Sequence, residues 1–132
     1  MVHLHTEVRV MLRRLGHWGS GADGALPNPA SLAGWSWDVI EREDVEDYLS
    51  RGFVSRAYMG FAKCRLCGEQ VGCLEFSDGI FCWPEGLRHY VAAHSVRLPR
   101  EFIDHVRSMG AELMEAEVED DWWIGAVVHQ SE

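Results

Sequence analysis

No apolar run in this chain approaches the roughly 20 residues that a membrane-spanning helix needs, so a helical span is not expected. Internal repeats and low-complexity tracts are also missing. There is no phosphate-cradling Gly-Lys loop, no dinucleotide glycine pattern and no serine nucleophile elbow, which removes the common signatures of nucleotide-using and acyl-transfer enzymes. From Ala111 onward there is not one basic residue, while seven acids stand there unopposed. The first residues, Met1-Val2-His3-Leu4-His5-Thr6-Glu7, lack a positive region followed by an apolar core, so they do not read as a secretory signal. The expectation is a cytoplasmic protein whose four cysteines are reduced.

What is present suits one compact unit. The 132 residues, 47% apolar and 25% charged, can bury a usable core within a single domain, 1–132. Charge is uneven. Through Met59 six bases meet eight acids, from Gly60 to Gly110 six meet six, and the acidic segment 111–132 brings the net charge to −9. A nucleic-acid binder normally carries a basic stripe, and here Lys63, Arg65, Arg88, Arg97, Arg100 and Arg107 are offset by acids close in sequence. The net charge disfavours nucleic acid and steers the chain toward basic protein partners.

Against this background one array stands out: Cys64-x2-Cys67, then 21 residues, then His89-x4-His94. Two thiolates and two imidazoles are the donor set zinc prefers, in a tetrahedral site that four protein ligands close. A closed site has no place for an activated water, so one structural Zn2+ is expected and a catalytic one is not. The 21-residue interval exceeds the roughly 12 of a short DNA-reading finger. Val71–Phe76 and Ile80–Trp83 fill it as a hairpin around Asp78-Gly79, giving an enlarged ββα finger. The helix bearing both histidines is expected to open at Trp83-Pro84-Glu85, with Pro84 at its first position. A five-residue step turns a side chain by about 140°, so the last turn must tighten or unwind for both rings to reach one ion.

Cys73 and Cys82 are the awkward pair. A two-residue Asp78-Gly79 turn sets Glu75 opposite Cys82 and makes Cys73 its diagonal neighbour. Small buried hydrophobes, substitute ligands and a redox pair are the three readings open to them.

Elsewhere the patterns are conventional. Thr6 to Gly16 fits a capped helix, with a strand as its rival. Residues 16–37 form a Gly/Pro-rich loop pinned by Trp18, Trp35 and Trp37. Asp38 and Glu41 make a capping box for a helix that carries Ile40, Val45, Tyr48 and Leu49, closes at Gly52, and has a solvated acidic face. The metal-binding module is placed at 53–110. It begins with a strand over Phe53–Lys63 and ends with a helix after Pro99, carrying Phe102, Ile103, Val106 and Met109 inward and His105 on the surface, stopped by Gly110. Trp122 to Val128 reads as a Trp-rich terminal strand, and an exposed Trp122 or Trp123 beside acids would make a partner-binding hot spot. The fold class expected is α+β, built around a zinc-clasped hairpin and helix with additional helices.

The segments Tyr58-Met59-Gly60-Phe61-Ala62-Lys63-Cys64-Arg65-Leu66-Cys67-Gly68, Asp78-Gly79, Trp83-Pro84-Glu85-Gly86-Leu87-Arg88-His89-Tyr90-Val91 and His94-Ser95-Val96-Arg97-Leu98-Pro99 resemble a group of small, uncharacterised bacterial proteins. The resemblance covers about a third of the chain and implies a bacterial origin and a recurring metal module, with no activity attached. One further motif, His5-Thr6-Glu7 upstream of the Cys64-x2-Cys67 pair, imitates a zinc-deaminase signature, but Lys63 stands where that signature has proline. The functional expectation is a non-enzymatic, zinc-stabilised protein-binding module, such as an immunity or inhibitor protein for a basic partner. A zinc-finger nucleic-acid-binding or transcription-related protein is the alternative, with Arg88, Arg97 and Arg100 facing phosphate or base edges.

Overall fold

The computed structural model describes residues 9–130, and His5, Glu7 and the first turn of the expected first helix, Thr6–Val8, lie outside them. What it describes of that helix is extended instead. Arg13–Arg14 form a short strand, β1, parallel to Phe81–Cys82, with the Arg13 N–H on the Ile80 carbonyl and the Leu15 N–H on that of Cys82. The free edge of a neighbouring strand offers this backbone partners that outweigh a modest helical periodicity.

Among the described residues, four strands and four α-helices make an α+β domain. β2 (Phe53–Lys63), β3 (Gln70–Ser77) and β4 (Phe81–Pro84) join β1 in a mixed sheet of order β1-β4-β3-β2. The helices are α1 (Val39–Leu49), α2 (Leu87–His94), α3 (Arg100–Met114) and α4 (Asp121–Gln130). The long loop carries one 3₁₀ turn at Pro29–Ser31, where regular structure was not expected; Asn28 caps it by accepting the Ala30 N–H. A bridge between Ala33 and Val96 fastens the loop to the chain beyond α2.

The main core lies where β4 meets α1, α2 and α3. Trp83, Leu87, Val91, Phe102 and Ile103 are buried there with Trp37, Val45 and Leu49. A smaller core of Cys64, Tyr90 and Val96, flanked by Trp18, Leu66 and Val71, sits beneath the cysteine knuckle. Trp37 and Trp18 pin the loop as expected, whereas Trp35 and Ile40 are exposed, Trp35 lying under the Arg42 guanidinium.

Several boundaries move, each for a local reason. α1 ends at Ser50 rather than at Gly52; Gly52 instead sits where a Cβ would lie 2.8 Å from that of Phe76. Pro84 closes β4 and Gly86 caps α2, so the metal helix starts later than its proline suggested. The freed Glu85 carboxylate turns back to accept the N–H groups of Cys73 and Leu74. That requires Gly72, whose φ of +107° and lack of a Cβ leave room for the carboxylate. Gly72→Ala is expected to cost about 1–3 kcal/mol through strain and a displaced Glu85, read by urea unfolding. α3 runs through Gly110 to Met114, one glycine costing only about 1 kcal/mol within a strongly amphipathic helix.

The hairpin register also differs. Ser77, not Glu75, faces Cys82, because the Asp78 N–H bonds the Phe81 carbonyl and Gly79-Ile80 become the central turn residues. Asp78 accepts the N–H groups of Ile80 and Phe81 through Oδ1, which holds the later register. Cys73 therefore lies beyond Glu75 toward the start of α2 and is not the diagonal partner of Cys82.

Two acids expected in solvent or in a simple turn are structural. Glu41 is buried, accepting the Trp37 indole N–H at 2.9 Å and pairing with Arg100 at 2.6 Å and Arg107 at 2.9 Å, which ties α1 to α3. The indole donor, with the two guanidiniums, holds its carboxyl below the usual range. Asp78 accepts Tyr48 at 2.5 Å and lies 2.8 Å from His105, so His105 is half-buried at the α1–hairpin–α3 junction and not a surface residue. Burial alone would push the Asp78 carboxyl up, but Tyr48, two backbone N–H groups and His105 hold it down. A depressed carboxyl contributes stability above its unfolded pKa and loses it as pH falls through the folded one. Asp78→Asn is thus expected to cost about 2 kcal/mol at neutral pH, and its gap to wild type to close below about pH 4. Paired urea titrations across pH check this.

Candidate metal centre

The turn between β2 and β3 builds the first half of the centre. The Cys64 N–H bonds the Glu69 carbonyl at 2.7 Å and the Gly68 N–H bonds the Cys64 carbonyl at 2.7 Å, with Gly68 at a φ of +78°. This tight knuckle turns both thiols to one side, and the Leu66 N–H points at Cys64 Sγ at 3.4 Å. Cys64 is buried and Cys67 exposed.

The second half comes from α2. His89 Nε2 lies 3.3 Å from Cys67 Sγ, while its Nδ1 lies 3.6 Å from a carboxylate oxygen of Glu69. A carboxylate behind the far ring nitrogen is the arrangement that orients a ligating imidazole. His94 closes the helix, and its ring centroid is 5.2 Å from that of His89. Both histidines lie within α2, which stops directly after His94, where Ser95 adopts a left-handed φ of 47°. Tyr90, on the same helix, accepts the Arg65 N–H at 2.8 Å and braces the knuckle from below.

One ligand atom from each of Cys64, Cys67, His89 and His94 can be chosen so that all four lie within 4.8 Å of one another. All four residues singled out by spacing are thus brought together, close enough to hold a metal ion. A second observation supports the fit. His94 Nε2 is buried without any hydrogen-bond partner, a costly state for an imidazole nitrogen unless something else binds it. A backbone hydrogen bond at Glu69 favours the Cys67 thiolate, yet partial desolvation and the neighbouring Cys64 sulfur together push the thiol up. A cation between the sulfurs removes that conflict.

Cys73 and Cys82 stay outside this group, and all four thiols are free. Cys82 instead abuts Glu75, a buried carboxylate that accepts the Tyr58 hydroxyl at 2.8 Å and faces Arg14 at 3.4 Å. Glu69 is the one residue of the centre that spacing did not single out. Its position two residues after Cys67 was the available signal.

Trp122 and Trp123 are far from a strand. They open α4, with Asp121 in its first turn and the Ile124 N–H on the Asp120 carbonyl. With no sheet edge paired to it, this segment satisfies its backbone internally as a helix. Both indoles are exposed, at 68% and 60%. Among the described residues no helix is long and apolar enough to cross a membrane. Comparison with protein-family models, curated proteins and solved structures finds no match.

Proposed function

We propose that this protein is a non-enzymatic, zinc-stabilised protein-binding module whose acidic, Trp-bearing C-terminal segment engages a basic partner, as an immunity or inhibitor protein would. The observation that carries the reading is α4, which exposes Trp122, Trp123, Ile124, Val127 and Val128 behind a run of unopposed acids. Exposed aromatics beside a single-sign charge run supply both the hot spot and the steering of a protein interface. Zinc is the ion that best suits two thiolates and two imidazoles, and four protein donors leave it no open position for a reacting water. The metal then clasps the β2–β3 knuckle to the end of α2, a structural task.

The test is recovery of a partner from the native host. Wild-type protein should capture a basic protein that Trp123→Ala loses by about tenfold or more in affinity, since hot-spot tryptophans carry about 2 kcal/mol or more. Equal recovery by both, or none by either, would remove the reading. A nucleic-acid role draws on Arg88 and Arg97, which are exposed, but its third candidate, Arg100, is engaged by Glu41 and Asp104. Retention on DNA at low salt with steep loss by physiological salt would favour that role instead.

A further inference from the structure

Beside β2 runs a groove of about 480 Å³, whose walls include Trp18, Tyr58, Phe61, Val71 and Leu74. β2 is an outermost strand with every residue exposed, and Met59 and Phe61 show most of their side chains to solvent. Lys63 and Arg65 line the groove, the Arg65 guanidinium donating to the Gly19 carbonyl at 3.0 Å, and Arg56 lies farther along β2. None of these three cations has a carboxylate within ion-pair distance among the described residues, although the chain carries a net charge of −9. The C-terminal segment has the converse shortage. Among the described residues, Glu112, Glu115, Glu117, Glu119, Asp120 and Asp121 have no cation within ion-pair distance. Behind them α4 is apolar almost all round and ten residues long. Such a helix is marginal by itself and gains its stability by burial.

We propose that the β2 groove receives the acidic, Trp-bearing C-terminal segment of a second copy of this chain. Unpaired cations then meet unpaired carboxylates, while Trp122 and Trp123 fill apolar space beside Tyr58 and Phe61. When the exchange is reciprocal, each tail in the other copy's groove, it closes as a two-fold dimer with no joint left open for further growth. The inference rests on the reading of Trp122 and Trp123 as docking side chains and names what they dock on.

Sedimentation velocity of the full-length, zinc-loaded chain over the micromolar range tests it. A concentration-dependent dimer that weakens with added salt is the expected result. Trp122→Ser with Trp123→Ser should be monomeric, and so should Arg56→Glu with Lys63→Glu. Mixing these two variants should restore a 1:1 complex through the one intact joint, which misfolded chains could not do. A monomer at every concentration overturns the proposal, whether the tail then lies free or folds onto its own groove. So does a dimer that survives both variants. If self-association fails yet host capture through Trp123 succeeds, the protein-binding reading stands and only its partner changes.

Discussion

Cys64→Ser is expected to abolish tight zinc binding and to collapse the cooperative thermal melt, with wild-type protein plus chelator behaving the same way. The expected effect is large because a structural zinc contributes folding free energy directly, of the order of 10–16 kcal/mol in isolated zinc-finger peptides. A domain of this size has a net stability of about 5–15 kcal/mol, so little remains when that contribution is lost. The damage spreads beyond the site for a structural reason. Cys64 and Tyr90 belong to the small core under the knuckle, but α2 also buries Leu87 and Val91 in the main one. Loosening the histidine end of α2 therefore loosens the contact between helices and sheet. Cys73→Ser is the matched control, since Cys73 is half-buried and outside the ligand group; it should cost less than about 1 kcal/mol. Differential scanning calorimetry with and without chelator checks both. A Cys64→Ser melt that overlays wild type would mean that the array does not hold the fold.

Trp83→Ala is expected to cost about 3–5 kcal/mol, a large share of the domain's net stability even with zinc bound. Trp83 is fully buried on β4, its ring centroid 6.0 Å from Tyr48 and 5.9 Å from Phe102, so it touches both α1 and α3. Its indole N–H donates to the Leu49 carbonyl at 3.1 Å, the last residue of α1, where helical carbonyls lack internal partners. Trp83→Phe separates the two contributions. It keeps most of the apolar contact, orphans that carbonyl, and should cost about half as much or less. Urea unfolding at saturating zinc, followed by circular dichroism, gives both values. A cost below 1 kcal/mol for Trp83→Ala would show that β4 is not the centre of the core.

The grouping of Cys64, Cys67, His89 and His94 was legible because metal chemistry fixes residue type and spacing together. β2, β3 and β4 were legible from their apolar runs, and α1 and α3 from capping and periodicity. What escaped depends on partners distant in sequence. β1 forms because β4 offers an edge, and α4 is helical because no edge is offered to it. Glu41 and His105 looked like surface residues, yet Arg100, Arg107 and Asp78 draw them inward. The shift of the hairpin turn to Gly79-Ile80 came from one side chain, Asp78, choosing the N–H groups that follow it. Glu85 was assigned to a helix start by its proline neighbour and instead serves β3.

X-ray absorption at the zinc edge of the purified, untagged protein tests the central claim most directly. One zinc per chain, with two sulfurs near 2.3 Å and two nitrogens near 2.0 Å, is the shell expected of Cys64, Cys67, His89 and His94. Absence of zinc, a shell with three or more sulfurs drawing in Cys73 or Cys82, or an oxygen in the shell marking an open coordination position would contradict it.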